Sequence, residues 1–350
     1  MKLSHFVIAT LATFSVSAQA VTSINLANYT NISTYALDLT AGAVSGLEAS
    51  AVTYARDRGT LFYVGDEGTG VVEISLTGQT LGSMAFNWTG TASTNHDTEG
   101  LTYLGGGQLV VGEERLYDAY SFGYTAGGSA TLANNYASIS NATVGNNGFE
   151  GLSYDQSNGS FVTIKQQTPQ DIRAGNLTFS ATGGTSTMGD PLSATGQLFN
   201  PALLGVTTLS DVQTLSSFDA LVGSTAANNL LIYSLGSKKL LEVDRLGNIL
   251  SFLDINAALA GGNSVIANIL TRNAIEGVTI DENGTIYLVA EQDQLAGAVV
   301  GAKSQLIVLR STAPVPEPET YAMLLAGLGL MGAVTRRKDR NKSIVKQHQI

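Results

Sequence analysis

The chain has 350 residues, of which 39 are glycine and none is cysteine, and its formal net charge at pH 7 is −10. The lack of cysteine excludes disulfides, thiol catalysis and cysteine-based zinc sites. Between residues 21 and 313 there are 25 acidic and 11 basic residues, which argues against nucleic acid as a partner because nucleic-acid binding needs a basic surface.

The first twenty residues have the features of a secretory signal peptide. Lys2 precedes an apolar stretch over residues 6–15, and Ala18-Gln19-Ala20 is a cleavage site of the A-x-A type. The stretch is short and ends at small residues, which is untypical of a buried helix. The sequence therefore predicts export, with residues 1–20 removed and Val21 as the mature N-terminus.

One pattern recurs along the rest of the chain: a strand that opens with an acidic residue, a turn rich in glycine or asparagine, and a second strand. The copies begin at Glu48, Glu99, Glu150, Asp211 and Glu276. These starts are 51, 51, 61 and 65 residues apart, a period typical of four-stranded propeller blades. Each copy predicts an antiparallel hairpin.

The sequence thus predicts an all-β protein, a β-propeller of five four-stranded blades over residues 21–313. A sixth blade is the alternative if the long stretch 176–209 contains a diverged repeat. The last copy lacks an outer strand, whereas an unassigned strand at 31–39 precedes the first copy. We expect that strand to pair with the last blade, which closes the ring and removes the exposed sheet edge.

A second targeting signal is predicted at residues 314–338. The motif Val315-Pro-Glu-Pro-Glu319 is followed by an uncharged, apolar stretch over 320–335 and by the basic cluster 336–338. This order resembles the PEP-CTERM sorting signal, which implies cleavage by an exosortase in Gram-negative bacteria that make extracellular polysaccharide. Sixteen residues at ~1.5 Å per residue span roughly 24 Å, which is a short membrane helix, and the basic cluster would stay in the cytoplasm.

A basic tail, 339–350, continues beyond the usual end of such signals, and an uncleaved membrane anchor is the alternative interpretation. We expect the protein at the cell surface, in the outer envelope or in the extracellular matrix. The expected partners are an exosortase-type enzyme and exopolysaccharide, with membrane contact through 320–335 before processing.

The repeated Glu-Gly openings resemble those of the SdiA-regulated, YjiK-like β-propeller family, which includes a calcium-regulated member. The segment from Leu230 to Ile249 is also similar to that family. The resemblance covers roughly residues 48–310 and implies a funnel-shaped propeller whose top binds metal or is phytase-like. It does not establish an activity, because propellers have many unrelated functions.

Carboxylates stand at equivalent places in the repeats. The start of the innermost strand lies at one mouth of the channel, and antiparallel pairing brings the end of the second strand to the same face. The metal-binding candidates at these places are Glu48, Glu99, Glu150, Asp211, Glu276, Glu67, Glu114 and Glu291. Such a ring repels itself unless a cation neutralises it, and calcium is the expected cation because it takes several oxygen ligands in flexible geometry.

The main alternative for these carboxylates is structural: each accepts backbone hydrogen bonds and fixes a loop of its blade. A calcium-dependent phosphoesterase is the alternative activity, and it would need Lys165, Arg56, Arg115 or Arg173 beside the metal. A structural protein associated with exopolysaccharide is the third possibility.

His96 is the only histidine between residues 21 and 313, which argues against histidine-based zinc sites and catalytic triads. The sequence assigns no catalytic residue and no organic cofactor.

Overall fold

The computed structural model describes residues 21–313 except 39, 47, 261–274 and 292–303, and after these only Gly327 and Gly329. The described residues between 22 and 313 belong to one compact unit. The predicted signal peptide, nearly all of the predicted sorting signal and the basic tail lie outside the described residues. No helix within the described part of the chain is long and apolar enough to span a membrane, and the predicted membrane helix at 320–335 lies almost wholly outside that part.

The strands follow one another in five small sheets, blades I to V, as the period of the repeats predicts. A strand and a small hairpin precede blade I: β1 (Tyr29–Ala36), β2 (Thr40–Ala41) and β3 (Val44–Ser45). Blade I contains β4 (Ala49–Ala55), β5 (Thr60–Gly65), β6 (Gly70–Ile74) and β7 (Thr80–Asn87). Blade II contains β8 (Thr98–Gly105), β9 (Gln108–Glu113), β10 (Asp118–Gly123) and β12 (Tyr136–Ser138), and β11 (Ser129–Thr131) pairs with β7 of blade I.

The later blades are less uniform. Blade III contains β13 (Phe149–Asp155), β14 (Ser160–Lys165) and β15 (Asp171–Gly175), followed by a hairpin of β16 (Leu177–Thr178) and β17 (Thr185–Ser186). Blade IV contains β18 (Leu209–Thr214), β19 (Leu230–Ser234), β20 (Lys239–Val243) and β21 (Ile249–Asp254), and helix α1 (Ile255–Ala260) follows it. Blade V contains β22 (Ile275–Ile280), β23 (Ile286–Ala290) and β24 (Gln305–Ser311). Short 3-10 helices cover Leu26–Asn28, Leu132–Asn134, Pro201–Leu204, Leu215–Ser217, Asp219–Leu221 and Thr225–Asn228.

The ring closes as predicted. Strand β1 pairs antiparallel with β24, from Tyr29 opposite Ser311 to Ala36 opposite Gln305, so the N-terminal strand supplies the fourth strand of blade V. The five-bladed fold is confirmed. The stretch 176–209 forms only the β16–β17 hairpin, a 3-10 helix and irregular loops, so it provides no sixth blade.

Blade III has three strands rather than the predicted four, and a buried arginine takes part in ordering the connection that follows. Arg173 on β15 has 0% of its side chain exposed and forms an ion pair with Asp171. Its guanidinium also donates to the carbonyl oxygens of Met188 (3.2 Å), Thr195 (3.0 Å) and Ser193. Ser140 Oγ also donates to Asp190 Oδ1 (3.3 Å), so side chains, rather than a strand ladder, hold the loop over residues 188–195.

The innermost strands, β4, β8, β13, β18 and β22, lie side by side around the channel, and their first residues mark the upper face of the propeller. Each of these strands begins with a β-bulge. At this bulge the pairing register skips one residue in each strand, namely Ser50, Glu99, Glu150, Ser210 and Glu276. A Cβ atom on Gly151, the residue after one bulge, would lie only 2.7 Å from Asp211 Oδ1 on the neighbouring strand, so glycine follows the bulge where inner strands approach closely.

Serine and threonine hydroxyl groups three residues after the bulge form hydrogen bonds between adjacent blades. Thr53 Oγ1 accepts from Tyr103 N (3.1 Å) and Thr102 Oγ1 from Tyr154 N (2.9 Å). The remaining junctions are Ser153 Oγ with Thr214 N (2.9 Å), Thr279 Oγ1 with Gln213 Oε1 (3.0 Å), and Thr279 Oγ1 with Tyr54 N (3.1 Å). At four of the five junctions the serine or threonine of the repeated motif thus satisfies a backbone N–H that adjacent inner strands do not pair.

Candidate cation site at the channel mouth

Three glutamates of the predicted ring meet at the upper mouth of the channel. Glu99, Glu150 and Glu276 each occupy the bulge position of their strand. Glu99 is 8% exposed and Glu150 is 4% exposed, and Glu276 is half-buried. Burial raises the pKa of all three well above the usual value, and mutual repulsion adds to it: Glu150 and Glu276 act on Glu99, and Glu276 acts on Glu150. The bulge therefore concentrates carboxyl groups from blades II, III and V.

Two further carboxyl groups reach the ring from the ends of second strands. Asp66 follows β5 and Glu114 follows β9, and the charges of both raise the pKa of Glu99. The Glu114 carboxylate accepts from the backbone N–H groups of Asn147 (2.6 Å) and Gly148 (3.3 Å). Glu114 thus accepts backbone hydrogen bonds from a loop, as the structural alternative describes, and its charge also raises the pKa of Glu99.

Blades I and IV present serine at the bulge, where the sequence suggested Glu48 and Asp211. The register places Ser50 and Ser210 there, with Glu48 two residues before Ser50 and Asp211 one residue after Ser210. The Asp211 carboxylate accepts from Val212 N and, across the blade junction, from Val278 N, both at 2.7 Å. Asp211 therefore joins blades IV and V, as in the structural alternative.

The remaining candidates lie around this ring. The charge of Glu48 raises the pKa of both Asp66 and Glu276. Glu67 is exposed and raises the pKa of its neighbour Asp66, and Glu291 is half-buried and raises the pKa of Glu276. Asp66 is not among the predicted metal ligands. Its charge acts on the ring glutamate Glu99, and the charges of the outlying Glu48 and Glu67 act on Asp66.

Buried hydroxyl groups without partners accompany the carboxylates. Among the described residues, Ser210 Oγ and the Tyr233 hydroxyl are buried and make no hydrogen bond. Ser210 is the bulge residue of blade IV, and Tyr233 lies opposite Asp211 on β19. Burial, and then the charge of Glu276, raises the pKa of Tyr233. Since buried polar groups are nearly always hydrogen-bonded, a ligand or water at the mouth would satisfy them.

Two lysines lie near the ring. Lys165 is 2% exposed, and its Nζ donates to the carbonyl oxygens of Gln167 (2.5 Å) and Pro169 (3.0 Å). Lys238, which was not predicted, is half-buried in the β19–β20 turn, where Glu276 and Glu291 are its acidic neighbours. Burial lowers the pKa of both lysines, and the nearby carboxylates oppose that effect. No sequence pattern marks Lys238, because its neighbours come from another blade.

The arginines that the phosphoesterase alternative would use have protein partners. Arg115 forms an ion pair with Asp97 near the upper face, and Arg173 binds Asp171 and loop carbonyls. Arg56 follows the lower end of β4 and pairs with Asp219 at 2.7 Å. His96 stacks on Trp88 with ring centroids 4.9 Å apart. The phosphoesterase alternative therefore stays a prediction.

The ring is not a preassembled chelating cluster. No group of three or more histidine, aspartate or glutamate side chains among the described residues stands ready to hold a metal ion. The carboxylates come from separate blades, so a cation at the mouth would complete its shell with water or with hydroxyl oxygens such as Ser210 Oγ. Calcium tolerates such mixed oxygen shells.

Comparison with known proteins identifies the family. The family model described as SdiA-regulated matches residues 27–294. The chain belongs to the SdiA-regulated family. A second model, the PEP-CTERM protein-sorting motif, matches residues 314–338. This motif implies export through the envelope of a Gram-negative bacterium and recognition by an exosortase-type system.

Solved structures resemble this SdiA-regulated protein only at low similarity. Glutaminyl cyclase from Myxococcus xanthus is 14% identical, with 81% of this chain and 95% of that chain covered and a TM-score of 0.48. A luciferin-regenerating enzyme is 10% identical, with the same coverage and a TM-score of 0.42. Virginiamycin B lyase from Staphylococcus aureus is 11% identical over 75% of this chain and 65% of that chain, with a TM-score of 0.35. These likenesses carry no argument about activity.

The ring should make the stability of this SdiA-regulated protein depend on pH. Burial, with the charges of Asp97 and Glu114, raises the pKa of Asp66 from 3.8 to about 7. The folded state therefore holds this proton more tightly than the unfolded state. We expect the metal-free free energy of unfolding to be highest at acidic pH and to fall as pH rises toward 7, by up to ~1.4 kcal/mol per pH unit for one proton.

Urea unfolding in EGTA at a series of pH values measures this dependence. Asp66→Asn should flatten the slope, whereas Asp57→Asn, an exposed aspartate on the lower face, should keep that of the wild type. The pKa values of the ring glutamates are also raised, so their ionisation should lower the free energy of unfolding further as the pH rises. A free energy of unfolding that rises between pH 5 and pH 7 would contradict the assignment of a proton-retaining ring.

Proposed function

We propose that this exported propeller binds a cation at the upper mouth of its channel and that the cation is calcium. The supporting observation is that Glu99, Glu150 and Glu276 come together from three blades with pKa values raised by burial and by one another. A bound cation would offset the repulsion that their ionisation creates at neutral pH. The candidate ligand atoms of the ring are carboxylate and hydroxyl oxygens, and hard cations prefer oxygen.

The spread of the carboxylates favours calcium over magnesium. Magnesium requires nearly ideal octahedral geometry at about 2.0–2.1 Å, whereas calcium accepts six to eight oxygens at about 2.3–2.6 Å. Lys238 lies beside Glu276 and Glu291 and partly neutralises the blade V side. We therefore expect the ion on the side of Glu99, Glu150 and Asp66.

Unfolding of the propeller unit, residues 22–316, with calcium and with EGTA tests the proposal. A ligand that binds only the folded state at 100 times its Kd stabilises it by roughly 2.7 kcal/mol. We expect calcium to raise the Tm, magnesium to raise it less, and the Glu99→Gln/Glu150→Gln double variant to lose the calcium effect. In EGTA that variant should be at least as stable as the wild type, because repulsion at the mouth is removed.

Asp57→Asn is the matched control, since it removes one carboxylate from the lower face and should leave the calcium effect intact. If calcium leaves the Tm of the wild type unchanged, the site does not bind calcium and the glutamates have a structural role. An equal rise in the double variant would place the ion elsewhere.

A further inference from the structure

A second cavity lies on the lower face, between blades III and IV, and is separate from the channel mouth. Its volume is about 590 Å³, within the range of about 300–1,000 Å³ typical of small-molecule sites. The β13–β14 turn, the β20–β21 turn and the residues before β19 form its walls. Nothing in the proposed calcium site involves these elements.

An immobilised guanidinium group forms the polar side of this cavity. Arg245 Nε donates to the carbonyl oxygen of Asn228, and its Nη2 donates to Asp155 Oδ2, both at 2.7 Å. Asp155 is 1% exposed, whereas the Arg245 side chain is 23% exposed. Within the described residues Nη1 has no protein acceptor, so a fixed donor remains for a ligand.

The charges around the cavity are already balanced or hydrogen-bonded. Asp155 pairs with Arg245 and also accepts from Ser157 N (3.0 Å) and Ser157 Oγ (2.6 Å). Asp244 accepts from the backbone N–H groups of Leu246 and Asn248, both at 2.9 Å. The Arg245 charge is paired with Asp155, and the Asp244 carboxylate already accepts three hydrogen bonds, which favours a neutral ligand with hydrogen-bonding groups.

Leucine side chains form the opposite, apolar side. Leu246 is 74% exposed and Leu250 is 39% exposed, and both line the cavity. Large apolar side chains exposed beside a polar cavity are typical of ligand-binding grooves. The cavity thus offers hydrogen bonds on one side and an apolar surface on the other.

We propose that this lower-face cavity binds a neutral saccharide segment. A pyranose ring has the matching chemistry, with hydroxyl groups along its edge for Arg245 and Asn228 and a face of C–H groups for Leu246 and Leu250. This site is independent of the calcium site.

Saturation-transfer difference NMR on the propeller unit tests the inference. The probes are the methyl pyranosides of glucose, galactose and mannose, the disaccharide cellobiose, and glucuronate as the charged comparator, all in EGTA so that calcium has no part in the outcome. We expect transfer to neutral sugars, strongest at the C–H protons of one ring face, and less to glucuronate. Leu246→Gln and Arg245→Lys should each weaken binding at least tenfold.

Leu81→Gln is the matched control, because Leu81 is 50% exposed on blade I, and it should bind as the wild type does. Leu246 is too exposed for its replacement to unfold the protein, so loss of binding in that variant reports on the cavity. The inference is overturned if no neutral sugar receives magnetisation from the folded wild type, if glucuronate binds best, or if both cavity variants bind normally.

Discussion

Replacing Arg173 by methionine should lower the free energy of unfolding of the propeller by roughly 3–5 kcal/mol, the usual cost of removing one partner of a buried ion pair. The change leaves Asp171 buried at 1% exposure without its counter-ion. It also removes the donors to the carbonyl oxygens of Met188, Ser193 and Thr195. Urea unfolding measures the loss, and proteolysis should move to residues 188–195.

An exposed ion pair provides the comparison. Arg56 and Asp219 are 2.7 Å apart, but their side chains are 48% and 52% exposed. Arg56→Met should therefore cost less than about 1 kcal/mol. If Arg173→Met costs no more than Arg56→Met, the buried guanidinium does not hold blade III together.

Replacing Glu242 by alanine should cost roughly 3 kcal/mol, because it leaves several buried donors unpaired. Glu242 is fully buried on β20 and accepts from Ser23 Oγ (2.5 Å), Ile24 N (3.0 Å), Ser251 Oγ (2.7 Å) and Asn229 Nδ2 (2.8 Å). The segment it anchors leads directly into β1, the strand that closes the ring. Losing the anchor should therefore loosen the pairing of β1 with β24 that closes the ring.

Urea unfolding and limited proteolysis followed by N-terminal sequencing measure this effect. Glu242→Gln keeps one acceptor oxygen and should fall between the wild type and Glu242→Ala. Asp57→Ala, on the exposed lower face, removes the acceptor of one backbone N–H, that of Gly106 (3.0 Å), and should cost no more than about 1.5 kcal/mol. Equal stability of Glu242→Ala and Asp57→Ala, with an N-terminus equally resistant to protease, would show that the anchor is dispensable.

The two proposed sites lie on opposite faces of one ring, and different features support them. The upper site depends on carboxylates repeated from blade to blade, whereas the lower cavity depends on a single arginine, Arg245, between two blades. Calcium binding could thus fail its test while saccharide binding passes, or the reverse. The sorting motif at residues 314–338 implies that both faces would act outside the cytoplasm.

Much of the fold was determined by the sequence alone, because propeller repeats are local. Each hairpin needs only alternating strands and a turn, so its period appears directly in the chain. The missing outer strand of the last repeat and the orphan strand before the first predicted the closure that β1 and β24 form. The glutamates at 99, 150 and 276 were placed at one mouth by the same repetition.

Only the tertiary structure decided which residues share a position in the ring. A shift of one residue in register turns a side chain to the other face of a sheet, and the bulges that set the register leave no mark on composition. For this reason Ser50 and Ser210, not Glu48 and Asp211, stand with the three glutamates. Lys238 and Arg245 likewise escaped prediction, because their partners come from distant parts of the chain and only packing brings them together. For Arg173 the sequence suggested a place beside a metal, whereas the structure buries it against Asp171 and loop carbonyls.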